Sequence, residues 1–417
     1  MSISNLYSIF CEHPIITTDS RECPAGSIFF ALKGDNFNGN EYASVALEKG
    51  CSYAVIDEQI DGICDERIIP VDDVLTTMQM LANYHRHQLG IRIIGVTGTN
   101  GKTTTKELIS SVLSKKYSVL YTQGNFNNHI GVPKTLLRMT QEHDIAVVEM
   151  GANHPGEIKT LVEIVEPDFG IITNVGKAHI EGFGSFEGVI KTKGELYDFL
   201  RKGSKNVFIN ENNEYLMGIS QGLNLIRYGN NGRMIACDPY LRMEYQGKTI
   251  STKLIGAYNI DNALAAATIG HYFGVEDNSI CEALEEYTPS NNRSQLKTTD
   301  FNTLIIDAYN ANPTSMMAAL KNFRDMKVEN KMAILGDMRE LGHISAEEHQ
   351  KVVDFIKETQ IECWLVGSEF AKTNCDFRKF NNVDEVKDEI KQSRLQGHYI
   401  LIKGSNSTKL YQLPEYL

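Results

Sequence analysis

The sequence predicts an α/β fold built from parallel sheets. Apolar strand-like runs alternate with helix-like runs from residue 87 to about 288, and the same rhythm returns between residues 289 and 417. Strand–helix–strand repeats of this kind need right-handed crossovers and therefore give parallel pairing. Since ligands of such sheets bind beyond the carboxyl ends of the strands, the residues that follow each strand are the candidates for function.

Length and composition narrow the class of protein. With 417 residues, and roughly 150 residues per domain, two to four domains are expected. A hydrophobic fraction of 42% beside 23% charged residues is ordinary for a soluble globular protein. The net charge of −12 argues against a general nucleic-acid binder, which needs clustered lysine and arginine. It does not exclude a nucleotide, which needs only a local positive site.

Cysteines and targeting signals point to the cytoplasm. The eight cysteines are scattered without a C-x-x-C pair, so neither a zinc site nor a redox motif is indicated. Free thiols fit a reducing cytosol. The first ten residues lack the basic start and apolar core of a signal peptide, and no apolar run approaches the ~20 residues of a membrane span. We therefore expect a cytoplasmic protein without membrane insertion.

The strongest motif is IRIIGVTGTNGKTTTKE at residues 91–107. It predicts a strand, a glycine-rich loop that lays backbone N–H groups around an anion, and a helix that begins at the loop. Lys102 would reach terminal phosphates, and the Thr103 hydroxyl would ligate Mg²⁺. Val96 stands where the strict phosphate-loop spacing wants a glycine. A structural strand-to-helix turn would explain the glycines, but not Lys102 and Thr103.

Polar residues also follow other predicted strands, which we place at 91–96, 118–122, 144–149, 168–173 and 205–209. Glu149 closes one apolar strand, where a metal or water ligand is expected, although a solvated strand end is an equal alternative. His179 follows another strand and would alone be a hydrogen-bonded loop histidine. With a Gly-Lys-Thr loop in the same sheet, both residues become candidate Mg²⁺ ligands.

Further interpretations concern the rest of the chain. Residues 234–255 read as one β-hairpin with a Gln246-Gly turn, and 256–274 as an alanine-rich helix. Asn259 and Asn262 share a face near its start, where they would either cap the helix or pair with adenine. We expect residues 290–295 to act as a hinge about which the C-terminal part of the chain rotates. Polar loops at Asp19–Arg21 and Gly34–Gly39 are explained by turn chemistry alone.

Seven motifs together resemble the Mur ligases, the ATP-dependent amino-acid ligases of peptidoglycan precursor synthesis. In chain order they are GVTGTNGKTTTKE, EMGANHPGEI, NVGKAHIEGFGS, TKGELY, GAYNIDNALAA, DAYNANPTSM and ILGDMRELG. The resemblance covers essentially the whole chain. It implies a small α/β UDP-sugar domain at 1–86, a central phosphate-loop ATPase-like parallel-sheet domain at 87–288, and a Rossmann-like domain at 289–417 that binds the incoming amine.

The resemblance also implies roles for individual residues. Those expected at ATP are Gly98, Thr99, Asn100, Gly101, Lys102, Thr103, Thr104, Asn259, Asn262, Arg293 and Asp307. Thr103 and Glu149 are implied ligands of one Mg²⁺, and His179 of a second. Lys193 matches a lysine that some members carry as a metal-binding carbamate, although an ordinary helix lysine is the simpler interpretation. Lys102, Glu149, His179, Lys193 and Arg293 are the implied catalytic set.

GNFNNHIGVP, DAYNANP and GDMRELG are most similar to the members that add D-alanyl-D-alanine to UDP-N-acetylmuramoyl-tripeptide. The implied substrate contacts are Asp19, Ser20, Arg21, Gly34, Asn36, Asn125, Asn127, Asn128, Asn310, Asn312, Asp337 and Glu340, with Pro313 beside them. A monomer is expected, and the third residue of the peptide stays open. Asn406-Ser-Thr-Lys replaces an arginine-containing stretch of the family, so contacts there are in doubt.

Two other activities remain as alternatives. One is a different Mur ligase or a folylpolyglutamate synthase-like amide ligase, and the motifs GNFNNHIGVP and DAYNANP argue against it. The other is a nucleotide switch or kinase, which would release or transfer phosphate without an amino-acid amine.

Overall fold

The structure is a computed structural model that describes residues 1–58, 65–289 and 293–417. No helix among these residues is long and apolar enough to cross a bilayer. The chain forms two compact units, one of residues 1–96, 117–152 and 157–170, and one of residues 97–116, 153–156 and 171–417. The two boundaries that divide the chain into three domains, near residues 86 and 288, stay a prediction. Of the predicted hinge, residues 290–292 lie outside the described residues.

The first 90 residues form a small sheet with helices. The elements are α1 (Ile3–Glu12), β1 (Ile16–Thr17), β2 (Ile28–Phe30), β3 (Lys33–Gly34), β4 (Phe37–Asn38), α2 (Ala43–Glu48), β5 (Tyr53–Ile56), β6 (Ile68–Pro70) and α3 (Val74–Leu89). The sheet has the order β1-β2-β5-β6 and is parallel. Helix α3 begins where Asp73 accepts the N–H of Thr76, and it ends at Gly90, which adopts the left-handed conformation.

The second sheet contains the strand that precedes the glycine-rich loop. Its first elements are β7 (Arg92–Thr97), α4 (Lys102–Leu113), β8 (Val119–Tyr121), α5 (Gly131–Leu136), β9 (Ile145–Glu149), α6 (Glu157–Val165) and β10 (Phe169–Ile172). Strand β9 pairs in parallel with both β7 and β8. All five residues of β9 are buried, as expected for a parallel strand covered on both faces. The strand predictions for this stretch are confirmed.

The chain continues with α7 (Ile180–Phe183), α8 (Phe186–Lys202), β11 (Asn206–Asn210), α9 (Glu214–Gly218), β12 (Asn224–Tyr228), β13 (Gly232–Cys237), β14 (Tyr240–Tyr245), β15 (Lys248–Ile255), α10 (Asn259–Tyr272) and α11 (Asp277–Glu286). The six-stranded sheet has the order β12-β11-β10-β7-β9-β8. The single predicted hairpin is wrong in extent, because three strands form an antiparallel sheet. The Gln246-Gly turn is confirmed between β14 and β15, where both turn residues have positive φ.

The C-terminal segment builds a third large sheet from β16 (Gln295–Thr298), β17 (Thr303–Asp307), α12 (Pro313–Asp325), β18 (Lys331–Gly336), α13 (Ser345–Lys357), β19 (Glu362–Val366), α14 (Ser368–Ala371), β20 (Arg378–Phe380), α15 (Val383–Gln392) and β21 (Tyr399–Lys403). The order is β16-β17-β21-β18-β19-β20, and only β16 pairs antiparallel.

Alternation along β18 shows why helices cover both faces of this sheet. Ala333 and Leu335 pack with α12 and α13, whereas Met332 and Ile334 pack with α15. Successive side chains of a strand point to opposite faces, so an uninterrupted apolar strand needs a cover on each side. Strands β17, β18 and β21 are parallel neighbours, so their carboxyl ends share one edge. The predicted α/β fold is confirmed.

Candidate active site

The glycine-rich loop joins β7 to α4 in a conformation that excludes larger residues. Gly98 and Gly101 have φ of 141° and 76°. A Cβ atom on Gly98 would lie 2.1 Å from the Thr173 hydroxyl, and one on Gly101 would lie 2.6 Å from Oδ1 of Asn262. Both positions therefore need glycine for backbone conformation and for space. The loop leads directly into the N-terminus of a 12-residue helix, the arrangement that binds anions.

The loop is held by the residues that follow β10. The carbonyl of Asn100 accepts hydrogen bonds from the Thr173 hydroxyl (2.7 Å) and from Nδ2 of Asn174 (2.9 Å). The Asn100 N–H donates to Oδ1 of Asn174 at 3.0 Å. The Thr99 hydroxyl accepts the N–H of Gly176 at 3.0 Å. The supporting roles of Thr173 and Asn174 were not predicted from the sequence.

The charged and hydroxyl groups of the loop lie where the motif predicts. Nζ of Lys102 donates to the carbonyls of Gly98 (2.8 Å) and Thr99 (2.9 Å), so the ammonium lies over the loop. Thr103 is buried in the first turn of α4. Thr104 is the next residue of the same turn and is partly exposed.

Asn259 and Asn262 lie behind the loop. Asn259 donates to the carbonyl of Ile255, and Asn262 donates to Oδ1 of Asn259, both at 2.8 Å. Oδ1 of Asn262 also accepts the hydroxyl of Thr105 at 3.0 Å. No side chain caps α10, so the capping alternative is wrong. In this structure the two amides support α4, and their role at adenine stays a prediction.

His179 joins several charged groups of the site. It has a left-handed backbone, with φ of 51°, and its Nδ1 contacts Oε2 of Glu340. Burial lowers the pKa of His179; the Lys102 and Lys193 charges lower it further, while Glu340 opposes them. Lys193 is buried on α8, with Nζ 5.1 Å from the centre of the Phe183 ring. The charges of Lys102 and Lys193 therefore lie close enough to act on His179, as predicted for this set. Glu340, which contacts His179 directly, belongs to the same group.

The carboxyl edge of the C-terminal sheet brings together other predicted residues. Asn312 Nδ2 donates to Oδ1 of Asn100 at 2.7 Å, which joins the C-terminal segment to the glycine-rich loop. The Asp307 carboxylate accepts a hydrogen bond from the ammonium of buried Lys403. Nζ of Lys403 also lies 3.4 Å from the carbonyl oxygen of Asn310. Pro313 is the first residue of α12, for which Asn312 is the cap.

Arg293 and Asp337 have surroundings that the sequence did not predict. The Arg293 guanidinium lies 3.9 Å from the centre of the Tyr309 ring, a cation–π distance. Its Nε is buried and has no hydrogen-bond acceptor among the residues that the structure describes. Asp337 is fully buried and accepts the N–H groups of Glu369 and Phe370. Its carboxylate therefore holds the start of α14, and any effect on a ligand would act through that backbone.

The first unit carries Glu149, the last residue of β9, and the candidates on the loop between β8 and α5. Glu149 is 1% exposed, so the solvated strand-end alternative is wrong. Its Oε1 accepts Nδ2 of Asn127 at 2.8 Å, and its N–H donates to the Thr122 hydroxyl at 3.0 Å. Oδ1 of Asn128 accepts the N–H of Gly131, the first residue of α5. Asn125 is exposed on the same loop.

The predicted sugar-binding loops are also in the first unit. Asp19 accepts the backbone N–H and the guanidinium of Arg21, and the bond to that side chain lowers the pKa of Asp19. Ser20 is buried, and its carbonyl accepts a hydrogen bond from Nζ of Lys49 at 2.8 Å. Gly34 and Asn36 are exposed in and beside β3. These local bonds agree with turn chemistry, and sugar binding stays a prediction.

Comparison with known proteins matches these residues to one family. The Mur ligase family, catalytic domain, matches residues 13–86, the Mur ligase middle domain residues 96–270, and the Mur ligase glutamate ligase domain residues 292–406. The UDP-N-acetylmuramoyl-tripeptide–D-alanyl-D-alanine ligase of Bacillus subtilis is 33% identical over 95% of this chain and 92% of its own. The chain belongs to the Mur ligase family.

Solved structures support the family fold. A MurF crystal structure from Acinetobacter baumannii has a TM-score of 0.86 and 29% identity, with 96% of this chain and 92% of that chain covered. MurF from Thermotoga maritima, solved in complex with ADP, has a TM-score of 0.85 at 23% identity and 96% coverage of both chains. At 23% identity, the similarity to the Thermotoga maritima structure shows the fold alone.

The donor set agrees with Mg²⁺ that is held partly by a nucleotide. Among residues 1–58, 65–289 and 293–417, no three His, Cys, Asp or Glu side chains cluster as a protein-only metal site. Magnesium usually binds one or two carboxylates together with substrate phosphates and water. The buried hydroxyl of Thr103, in the second unit, and the buried carboxylate of Glu149, in the first unit, are each by themselves donors of this kind. An uncharged imidazole is a possible ligand, whereas Lys193 becomes one only after modification.

Glycine 101 provides a test of the loop geometry. We expect Gly101→Ala to weaken ADP binding at least tenfold, because its Cβ would collide with Asn262 and displace the loop. The matched control is Gly90→Ala, which also has positive φ but meets no atom within 4 Å. Backbone strain at positive φ should cost each variant about 1–2 kcal/mol of stability, and Gly101→Ala carries the collision in addition, so the comparison is made by ADP titration of the folded variants. Equal ADP affinities in the two variants would contradict the steric role.

Proposed function

We propose that this chain is an ATP-dependent ligase that joins D-alanyl-D-alanine to UDP-N-acetylmuramoyl-tripeptide in peptidoglycan precursor synthesis. The observation that carries the proposal is the 33% identity, over 95% of the chain, to a curated ligase of that name. The glycine-rich loop with Lys102 above it supports ATP as the energy source. The same loop would also serve a different amide ligase of the family, so the activity must be tested with the substrates.

The chemistry requires an activated carboxylate. An oxygen of the tripeptide carboxylate attacks the γ-phosphorus of ATP, and ADP leaves. The amine of D-alanyl-D-alanine then attacks the acyl carbon, the nitrogen loses a proton, and phosphate departs. Positioning and charge neutralisation account for most catalysis in such steps. Lys102 and the N–H groups of the loop would neutralise the terminal phosphates, and Arg293, stacked on Tyr309, would add a second positive charge.

Magnesium would supply further neutralisation of the phosphates when bound. We propose Thr103 and Glu149 as ligands of one ion, and His179 with a carbamylated Lys193 at a second. Asn259, Asn262 and Asp307 are proposed on the adenosine side. Asp19–Arg21, Gly34 and Asn36 are proposed at the UDP-sugar, and Asn125, Asn127 and Asn128 near its peptide. Asn310 and Asn312 are proposed beside the incoming dipeptide.

We further propose that the enzyme is a cytoplasmic monomer with three domains bounded near residues 86 and 288. The unpaired state of the seven cysteines in the described residues supports a reducing compartment.

The proposed reaction predicts strict substrate dependence. ADP release, followed by a coupled assay, should require both UDP-N-acetylmuramoyl-tripeptide and D-alanyl-D-alanine, and mass spectrometry should show the tripeptide extended by two alanines. Tripeptides that carry lysine or diaminopimelate at the third position would define the natural substrate. Equal ADP release without the dipeptide, or extension by glutamate instead, would refute the assignment.

Lys102 should be essential for phosphate transfer. In Lys102→Ala we expect kcat to fall by two or more decades, since losing one charge-stabilising donor costs roughly 3 kcal/mol. Lys115→Ala is the control, because it removes the same charge beyond the other end of α4, where Lys115 pairs with Glu286. Near-normal kcat in Lys102→Ala would exclude the phosphate-loop role.

Lys193 is proposed to carry a carbamate, formed when its neutral amine adds CO₂ and releases a proton. Lys193→Ala should be nearly inactive, and short-chain carboxylates should restore part of the activity by replacing the lost oxygen ligands. Lys191→Ala, two residues away on the exposed face of α8, should be unaffected. ¹³C NMR of enzyme equilibrated with ¹³C-bicarbonate gives a direct readout, and an active enzyme without a carbamate signal would disprove the modification.

A further inference from the structure

The contact between His179 and Glu340 joins two distant parts of the chain. Nδ1 of His179 meets Oε2 of Glu340, which lies 161 residues later. The backbone fixes both partners near this contact. The Glu181 N–H donates to the Glu340 carbonyl at 3.1 Å. A Cβ on Gly342 would pack at 3.4 Å from Glu181. The pairing is therefore part of a docked loop, not a contact between two free side chains.

The chemistry of the pair fixes the ring of His179. A carboxylate accepts hydrogen bonds, so the ring must donate through Nδ1–H, which leaves Nε2 with its lone pair. Ligand histidines commonly donate their other ring N–H to a carboxylate, which sets the tautomer and the ring orientation. In the unmodified chain, the ammonium groups of Lys102 and Lys193 also act on His179, and both are positive before Lys193 is carbamylated. Glu340 is the anion that faces the ring among these groups.

We propose that Glu340 is a positioning residue for His179, holding the imidazole so that Nε2 is free to bind the second of the two proposed cations. This inference rests on the proposed role of His179. It replaces the dipeptide contact inferred for Glu340 from the sequence, since the carboxylate is committed to the histidine. It also means that the C-terminal segment contributes to a site whose ligands lie in the preceding part of the chain.

The same docked surface offers a matched control. Lys177 lies two residues before His179. Its Nζ pairs with the buried carboxylate of Glu348 at 2.9 Å. The Lys177 N–H also donates to the Thr314 hydroxyl at 3.2 Å. Glu348 therefore holds the same two parts of the chain together without contacting the imidazole. Glu348→Gln weakens docking, whereas Glu340→Ala weakens docking and releases His179.

The experiment measures Mn²⁺ binding by electron paramagnetic resonance in the presence of a non-hydrolysable ATP analogue. We expect Glu340→Ala to weaken Mn²⁺ binding by about tenfold or more, the usual effect of losing an outer partner of a histidine ligand. Glu340→Gln, which keeps an acceptor oxygen, should lose less, and Glu348→Gln should bind Mn²⁺ normally. Equal losses in Glu340→Ala and Glu348→Gln would reduce Glu340 to a docking contact and overturn the proposal.

Two further readouts separate the outcomes. ¹⁵N NMR of the histidine rings, without metal, should show His179 protonated at Nδ1 in the wild type and a mixture of tautomers in Glu340→Ala. A rise confined to the KM of D-alanyl-D-alanine, with normal Mn²⁺ affinity, would return Glu340 to the dipeptide and refute its role at His179. Failure of the wild type to use this dipeptide would refute the proposed function alone, because the metal and NMR measurements do not depend on it.

Discussion

The site depends on how little space surrounds the loop between β7 and α4. Thr173 fills the volume that a side chain at position 98 would need, and Asn262 fills the one at position 101. The Asn100 carbonyl accepts hydrogen bonds from Thr173 and Asn174, which follow β10. A loop bound on several sides has few conformations, so its N–H groups need little reorganisation to meet an anion. Lys102 donates to two carbonyls of this loop, and Asn312 donates to its Asn100.

The sequence predicted those features that depend on short-range patterns. Buried parallel strands appear as uninterrupted apolar runs, which is why β7 and β9 were predicted to within one residue at each end. Strands β16 and β20 were missed because they lie at the edges of their sheet and carry polar residues. The extra strand β13 was taken into a single hairpin, since periodicity does not show how many partners a strand has.

The chemistry of single residues could be predicted, but their partners could not. Gly-Lys-Thr indicated a phosphate loop by itself, whereas the supporting roles of Thr173 and Asn174 come from pairing across 73 to 74 residues of chain. Asp337 has a carboxylate at a strand end, as a ligand-binding residue would, yet both oxygens accept backbone N–H groups. Burial decides between these roles, and burial is a property of the whole fold.

Asn312 performs two tasks with one short side chain. Its oxygen accepts the N–H of Ser315 and begins α12, while its nitrogen donates to Asn100. Aspartate and serine would serve the helix equally well, but neither offers the amide donor, and glutamine offers the donor on a longer arm. Selection at this position therefore acts on folding and on the nucleotide loop at once. Residues that merely cap a helix would restore the start of α12 but leave Asn100 without this donor.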